Sequence, residues 1–288
     1  MTPCHIVEIT TPKKFLLRGL WLGPKKPKRV VVWVHGLGSS MFSKLEIAQR
    51  LADKHTAVLV FNNRGHDKVV QVSHASGKFR KAIRSGSAHE RFVDSADDIQ
   101  GAINYARKSG VKQIFLAGHS TGCQKSVYWA SKKGRGVKGI ILLAPMSDYD
   151  AIHLQYGKKK LVRTLALARE YVRKGKGHEL LPPSEWYWPW VADAQRFVSL
   201  YSGKGPEEIF TYWDEKERPR TLESVRIPML VLLAQKEEYT SLPAKEIAWW
   251  FERHTQKGST AVVPSVGHSF RGGERRVVRE IRQWMNGL

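Results

Sequence analysis

Apolar and polar positions along this chain follow two different periods, and the two alternate. Six short runs are nearly continuous in aliphatic and β-branched residues, at 30–34, 57–61, 113–117, 137–143, 229–233 and 261–263. A strand covered on both faces reads this way, because each successive side chain meets a packed layer. Between these runs lie stretches at 44–53, 90–108, 122–133, 244–254 and 274–285 whose apolar residues recur at helical spacing. Strand and helix in alternation predict an α/β fold with a mostly parallel sheet and helices on both faces. Two further runs, 6–9 and 15–20, predict antiparallel strands leading into it.

The alternation breaks once. From 150 to 226 no strong strand pattern appears, and the chain shifts to basic helix-like segments around an aromatic, Pro-rich stretch. A helix is predicted at 161–173, then come Pro182, Pro183, Trp186, Tyr187, Trp188, Pro189 and Trp190, then a second helical run at 194–201. The expected organisation is therefore a catalytic core made of 1–149 and 227–288, with 150–226 inserted before the penultimate strand as a helical cap or lid. No internal repeat or low-complexity tract argues for a solenoid or a disordered chain.

Composition narrows the class. At 288 residues and 42% hydrophobic content the chain is long enough to bury one large core and carry an insertion. Residues 1–10 lack the basic stretch and apolar run of a secretory signal, and nothing approaches the length of a membrane span. Two cysteines, Cys4 and Cys123, make neither a disulfide framework nor a zinc site. A cytoplasmic protein is the expectation. The 48 Lys and Arg against 26 Asp and Glu give a formal net charge of +22, which raises the question of a nucleic-acid partner. The basic residues cluster at 132–135, 158–160, 173–176 and 271–279, but no recognised nucleic-acid-binding signature accompanies them, so they read as solvated surface and no specific nucleic-acid partner is expected.

The chemistry is concentrated after the strand ending at Ala117, where Gly118, His119, Ser120, Thr121 and Gly122 precede a helical run. This is G-x-S-x-G between a buried strand and a helix, the nucleophile elbow of α/β-hydrolases. The turn is so tight that side chains beside the nucleophile would collide, hence the glycines, and the helix that follows points its positive end at the reaction centre. Ser120 is the predicted nucleophile.

Three further groups arrive where such a nucleophile needs them. The first strong strand ends in His35, Gly36, Leu37 and Gly38, a turn that can aim the Leu37 N–H at the nucleophile; with the N–H of Thr121 it would form an oxyanion hole. His268, in the loop after the last strand, is the predicted base. The acid is expected after the penultimate strand, where Glu237 is the choice, Glu238 the alternative and Asp148, one strand earlier, a weaker third.

At this point the chain resembles the fungal siderophore-esterase group of α/β-hydrolases and its uncharacterised relatives. The likeness rests on Phe61, Asn62, Asn63, Arg64, Gly65, His66 and Asp67, on 118–124, on Ala144, Pro145, Met146, Ser147 and Asp148, on 195–200, and on Lys236, Glu237, Glu238 and Tyr239. It runs from about His35 to His268 and implies hydrolysis of esters linking acyl units in larger substrates. The chain departs at Glu237, where that group usually carries Asp.

The functional expectation is a serine carboxylic-ester hydrolase that works through an acyl-enzyme, on a small-molecule ester, with no cofactor and no metal. Alternatives are a thioester, amide or C–C bond hydrolase with the same triad, or a ligand-binding module on the same fold. Arg64, Trp186 and Trp188 are candidate pocket residues, with the alternatives that Arg64 braces the oxyanion loop and that the tryptophans hold the cap onto the core. His119 is expected to support the elbow and Cys123 to be a buried filler, while Asp94, Asp97 and Asp98 read as a solvated helix face.

Overall fold

A computed structural model describes residues 2–75, 81–186 and 191–288. Strands β1 (Cys4–Thr10), β2 (Leu16–Leu22), β3 (Arg29–Val34) and β4 (Thr56–Phe61) open the chain, with helix α1 (Leu45–Leu51) between β3 and β4. After a two-stranded excursion, β5 (Val70–His74) and β6 (Lys81–Ser85), come α2 (Ser95–Lys108), β7 (Gln113–His119), α3 (Thr121–Ser131) and β8 (Gly139–Leu143). Helices α4 (Asp148–Tyr156), α5 (Lys158–Arg173), α6 (Ala194–Tyr201) and the short α7 (Arg220–Glu223) follow. The chain then closes with β9 (Met229–Ala234), α8 (Ala244–His254), β10 (Gly258–Val263) and α9 (Glu274–Asn286).

The main sheet has eight strands in the order β1-β2-β4-β3-β7-β8-β9-β10. Only the β1–β2 and β2–β4 pairings are antiparallel; from β4 to β10 every neighbour is parallel. The period of two decides which layer each residue joins. In β3, Val30, Val32 and Val34 pack with Ile99 and Ile103 of α2, Val127 of α3 and Phe251 of α8. Val31 and Trp33 face the other way, against Ile47 and Leu51 of α1 and Val277 and Ile281 of α9. Helices therefore cover both faces, as the sequence predicts.

Between β8 and β9, α4 to α6 form an apolar cluster of their own, with Leu161, Leu165, Trp186, Phe197, Leu200 and Tyr201 buried together. The β5–β6 pair was not predicted, because its residues alternate too weakly to stand out from a loop. Among the described residues no helix is long and apolar enough to cross a membrane.

Candidate active site

The parallel strands bring their C-terminal ends to one edge of the sheet, where ligands bind in open α/β folds. There the chain turns from β7 into α3 through Ser120, whose φ of 56° and ψ of −129° lie in a region that L residues avoid. The neighbouring glycines explain how the turn closes. A Cβ on Gly118 would strike the Gly122 carbonyl, and a Cβ on Gly122 would strike the carbonyl of Val34. Gly36 faces Ser120 so closely that a Cβ there would lie 3.0 Å from the Ser120 Cβ. The turn after β3 is thus packed directly on the turn at Ser120. Among the described residues, nothing accepts a hydrogen bond from the N–H of Leu37 or of Thr121, so both donors are uncommitted.

His268 comes from the loop after β10. Its Nδ1 lies 2.8 and 3.0 Å from the two Glu237 carboxylate oxygens. A carboxylate can only accept, so Nδ1 carries the proton and Nε2 keeps its lone pair. Glu238 holds the backbone instead. Its Oε2 accepts from the His268 N–H at 2.8 Å, fixing the loop and not the ring. The elbow is tied to that loop as well, since His119 Nε2 donates to the His268 carbonyl at 2.9 Å. The Tyr239 ring meets the imidazole edge to face at 4.9 Å.

Ser120 and His268 line one cavity of about 230 Å³, with Gly36, Leu37, Lys44, Met146, Asp148 and Ile152 among its other walls. In this arrangement the Ser120 hydroxyl points to the Met146 sulfur at 3.6 Å and is not hydrogen-bonded to His268. Asp148 does not approach the imidazole. It is buried, accepts from Gln124 Nε2 at 2.6 Å, and has its pKa pushed well above the carboxylate range by burial and by the nearby Glu207.

Two pocket expectations need correction. Arg64 is 4% exposed and lies outside the Ser120 cavity. Its Nε donates to Asp98 at 2.7 Å and its Nη2 to Asp97 at 2.9 Å, with the Phe15 ring 4.3 Å from the guanidinium. It therefore braces α2, not the turn after β3 that was the expected alternative. Asp97 and Asp98 are correspondingly not a solvated face, and Asp98 is 1% exposed. Trp186 is also set back: it packs on Tyr156, Phe197 and Tyr201 inside the α4–α6 cluster, and of these four aromatic residues Tyr201 lines the cavity. Trp188 lies outside the described residues.

Cys123 is buried beneath the elbow, where its thiol donates to the carbonyls of Gly118 and Leu143 and burial pushes its pKa well up. Among the described residues no cluster of three His, Cys, Asp or Glu side chains could hold a metal ion.

Sequence reading missed a buried ion network behind the site. Lys125, one turn into α3, pairs with Glu90 at 2.5 Å; Glu90 also pairs with Arg196 of α6 at 3.0 Å, and Arg196 with Glu207. A lone charged residue early in a helix that follows a buried strand was the available signal. Burial alone would raise the Glu90 pKa, but Lys125 and Arg196 outweigh it and hold the carboxyl ionised below its usual range. His35 lies in the same field. Burial, then the Lys125 charge, lowers its pKa from 6.5 to about 3.

That shift has a measurable sign. Below pH 6.5 the unfolded chain takes up a proton on His35 that the folded chain refuses until about pH 3. Folding stability should therefore fall on acidification, by about 1.4 kcal/mol per pH unit below 6.5 from this residue. Buried His119, lowered by burial and by His268, acts in the same direction. Urea unfolding at pH 7.5 and 5.5 measures the loss, and a His35→Asn variant should show a shallower pH dependence; an unchanged slope would remove His35 as its source.

Residues 85–283 match the family described as "Protein of unknown function (DUF1749)", and the chain belongs to that family. The UPF0613 protein PB24D3.06c of Schizosaccharomyces pombe is 25% identical over 168 residues, 50% of this chain and 52% of that protein. The chain thus spans about half the length of the curated relative it matches. Among solved structures, the siderophore hydrolase EstB of Aspergillus fumigatus aligns with a TM-score of 0.72 at 16% identity, covering 100% of this chain and 98% of that one. Est1E of Butyrivibrio proteoclasticus, solved with ferulic acid, aligns at 0.64 and 15% identity over 98% of each chain. A thermophilic esterase from Thermogutta terrifontis aligns at 0.60 and 21% identity over 98% of each. At these identities the likeness is one of fold, and the fold is that of the α/β-hydrolases.

Proposed function

From membership of the DUF1749 family and the geometry around Ser120, we propose that the chain is a serine hydrolase that cleaves carboxylic esters through an acyl-enzyme. The observation that carries this reading is the convergence on one cavity of a strained Ser120, a His268 with its Nδ1 proton held by Glu237, and Leu37 with its uncommitted N–H. That esterases and hydrolases share the fold supports the reading.

Each residue has a role its position allows. The Ser120 hydroxyl leaves the Met146 sulfur for His268 Nε2, an interaction that forms in the substrate complex even when a free enzyme lacks it. Nε2 takes the proton as Oγ attacks the ester carbonyl, and the N–H groups of Leu37 and Thr121 hold the resulting oxyanion. Glu237 keeps the ring oriented and stabilises the imidazolium. The tetrahedral species then expels the alcohol, which leaves with the proton from Nε2. A water, deprotonated by the same nitrogen, hydrolyses the acyl-Ser120 ester and frees the acid. The extra methylene of Glu237 over Asp is absorbed by its loop, with both oxygens within 3.0 Å of Nδ1.

The segment 150–226 acts as the cap in this reading. Ala151, Ile152, Gln155 and Tyr201 supply one side of the cavity, and the Arg196–Glu90 pair locks that side to the core. A cavity of about 230 Å³ is at the small end of ligand sites, so short acyl chains should be preferred over long ones.

An activity-based probe tests the proposal directly. A fluorophosphonate should label the protein to one equivalent, with the adduct mapped by mass spectrometry to the peptide holding Ser120, and p-nitrophenyl butyrate turnover should disappear in step. Labelling elsewhere, or turnover that survives full labelling, would overturn it.

A further inference from the structure

The Ser120 cavity has an asymmetric lining that the hydrolytic chemistry leaves unused. Met146, Ala151 and Ile152 make an apolar side, and Ser39, Ser43 and Lys44 a polar one. Lys44 is held in the left-handed region, at φ 59° and ψ 24°, a conformation that is unfavourable for a lysine and persists where its surroundings impose it. Its side chain is half-buried at the cavity wall, and its charge reaches His119 beside the nucleophile.

What Lys44 lacks is a partner. Among the described residues no carboxylate lies within 4.0 Å of its ammonium; Glu238 and Glu274 act on it only from farther away, and Glu238 is already engaged by the His268 N–H. Burial lowers the lysine's pKa despite those two acids, so its desolvation is not compensated within the protein. Beside it, the Ser43 hydroxyl is buried and hydrogen-bonded to nothing among the described residues. A half-buried ammonium and a buried hydroxyl, both unmet among the described residues and both in one cavity wall, are the complement of an anion.

We infer that Lys44 and Ser43 form a subsite for a carboxylate of the substrate, so that the preferred ester carries a free carboxylate a few bonds from the scissile carbonyl. This rests on the esterase reading of Ser120 and makes it more specific. One ammonium balances one charge, that of a carboxylate, whereas a phosphate monoester carries nearly two. The cavity also has to hold the ester, which favours the smaller anion. The excess of 22 positive charges draws such substrates towards the protein from solution.

Matched esters test the subsite. One pair places the charge on the acyl side, mono-p-nitrophenyl glutarate against p-nitrophenyl pentanoate; a second places it on the alcohol side, 4-acetoxybenzoate against phenyl acetate. In at least one pair the wild-type protein should favour the carboxylate about tenfold or more in kcat/KM at low salt. Lys44→Met should bring that ratio down to about one, Lys44→Glu should reverse it, and Lys44→Arg should preserve most of it. Because each variant is its own reference for the neutral ester, a general loss of activity cannot imitate the effect. Glutarate binding, read as a thermal shift that Lys44→Met removes, tests the subsite without turnover. Ser120-dependent turnover of neutral esters with no carboxylate preference, or a preference indifferent to Lys44, would overturn the subsite and leave the esterase reading standing; turnover that does not depend on Ser120 would overturn the esterase reading, with glutarate binding still deciding on Lys44.

Discussion

Ester turnover by Ser120→Ala is expected to fall by about 10⁴- to 10⁶-fold in kcat, the scale on which a serine hydrolase loses its nucleophile. The substitution isolates chemistry from folding. Alanine keeps the Cβ that Gly36 packs against, and it adopts a φ of 56° at much the same backbone cost as serine. Among the described residues the hydroxyl removed is hydrogen-bonded to the Met146 sulfur alone, so no buried polar partner is orphaned. The melting temperature should consequently stay within about 2 °C of wild type, an expectation for a change that leaves core and caps intact. What remains of catalysis should come from the Leu37 and Thr121 donors and from binding. Paired measurements of p-nitrophenyl acetate and butyrate hydrolysis and of thermal melting decide the matter. A folded Ser120→Ala protein that retains turnover within tenfold would show that the nucleophile lies elsewhere.

The parts of this molecule that short-range physics determines were legible in the sequence. Val30 to Val34 read as a strand covered on both faces because alternate residues feed two separate apolar layers, and the structure places them there. The glycines around Ser120 were readable for a related reason: a turn that cannot admit a Cβ leaves its mark on the residue types themselves. Loop order placed Glu237, Glu238 and His268 near one another, but which carboxylate meets the ring depends on how the 235–239 turn directs successive side chains, and no periodicity encodes that. Long polar side chains were the least readable. Arg64 and Asp98 stand 34 positions apart and Arg196 and Glu90 106 apart, and each half of such a pair, seen alone, is indistinguishable from a surface charge. The same ambiguity hid Lys44, one cation among 48, whose distinction is a half-buried place in the cavity wall with no carboxylate in reach among the described residues. Trp186 failed in the opposite sense: an aromatic suits a cavity wall and an apolar interior equally, and Tyr201 was the one that reached the cavity.

The second large effect is expected from Lys125→Met, which should destabilise the fold by about 3–5 kcal/mol, the usual consequence of removing one partner from a buried ion pair. Lys125 is 0% exposed and its ammonium lies 2.5 Å from Glu90 and 3.3 Å from the Asn63 side-chain oxygen. With Arg196 and Glu207 it completes a buried set of two cations and two anions. Methionine fills a similar volume, so the cost is chiefly electrostatic: Glu90 and Glu207 are left sharing the Arg196 guanidinium, and Glu90 loses the nearer of its two cations. Glu90 should then take up a proton at higher pH than in wild type, since the charge that offset its burial is gone. The double variant Lys125→Met, Glu90→Gln restores a one-to-one balance between Arg196 and Glu207, and it should recover at least half of the lost stability. Urea unfolding of the wild type, both single variants and the double variant closes the thermodynamic cycle. The coupling matters for the site as well as for the fold, because Lys125 stands one turn along the helix that Ser120 begins, and Arg196 stands in the segment that walls the cavity. A Lys125→Met cost below about 1 kcal/mol, or a double variant no more stable than the single, would mean that packing alone holds these two parts of the site together.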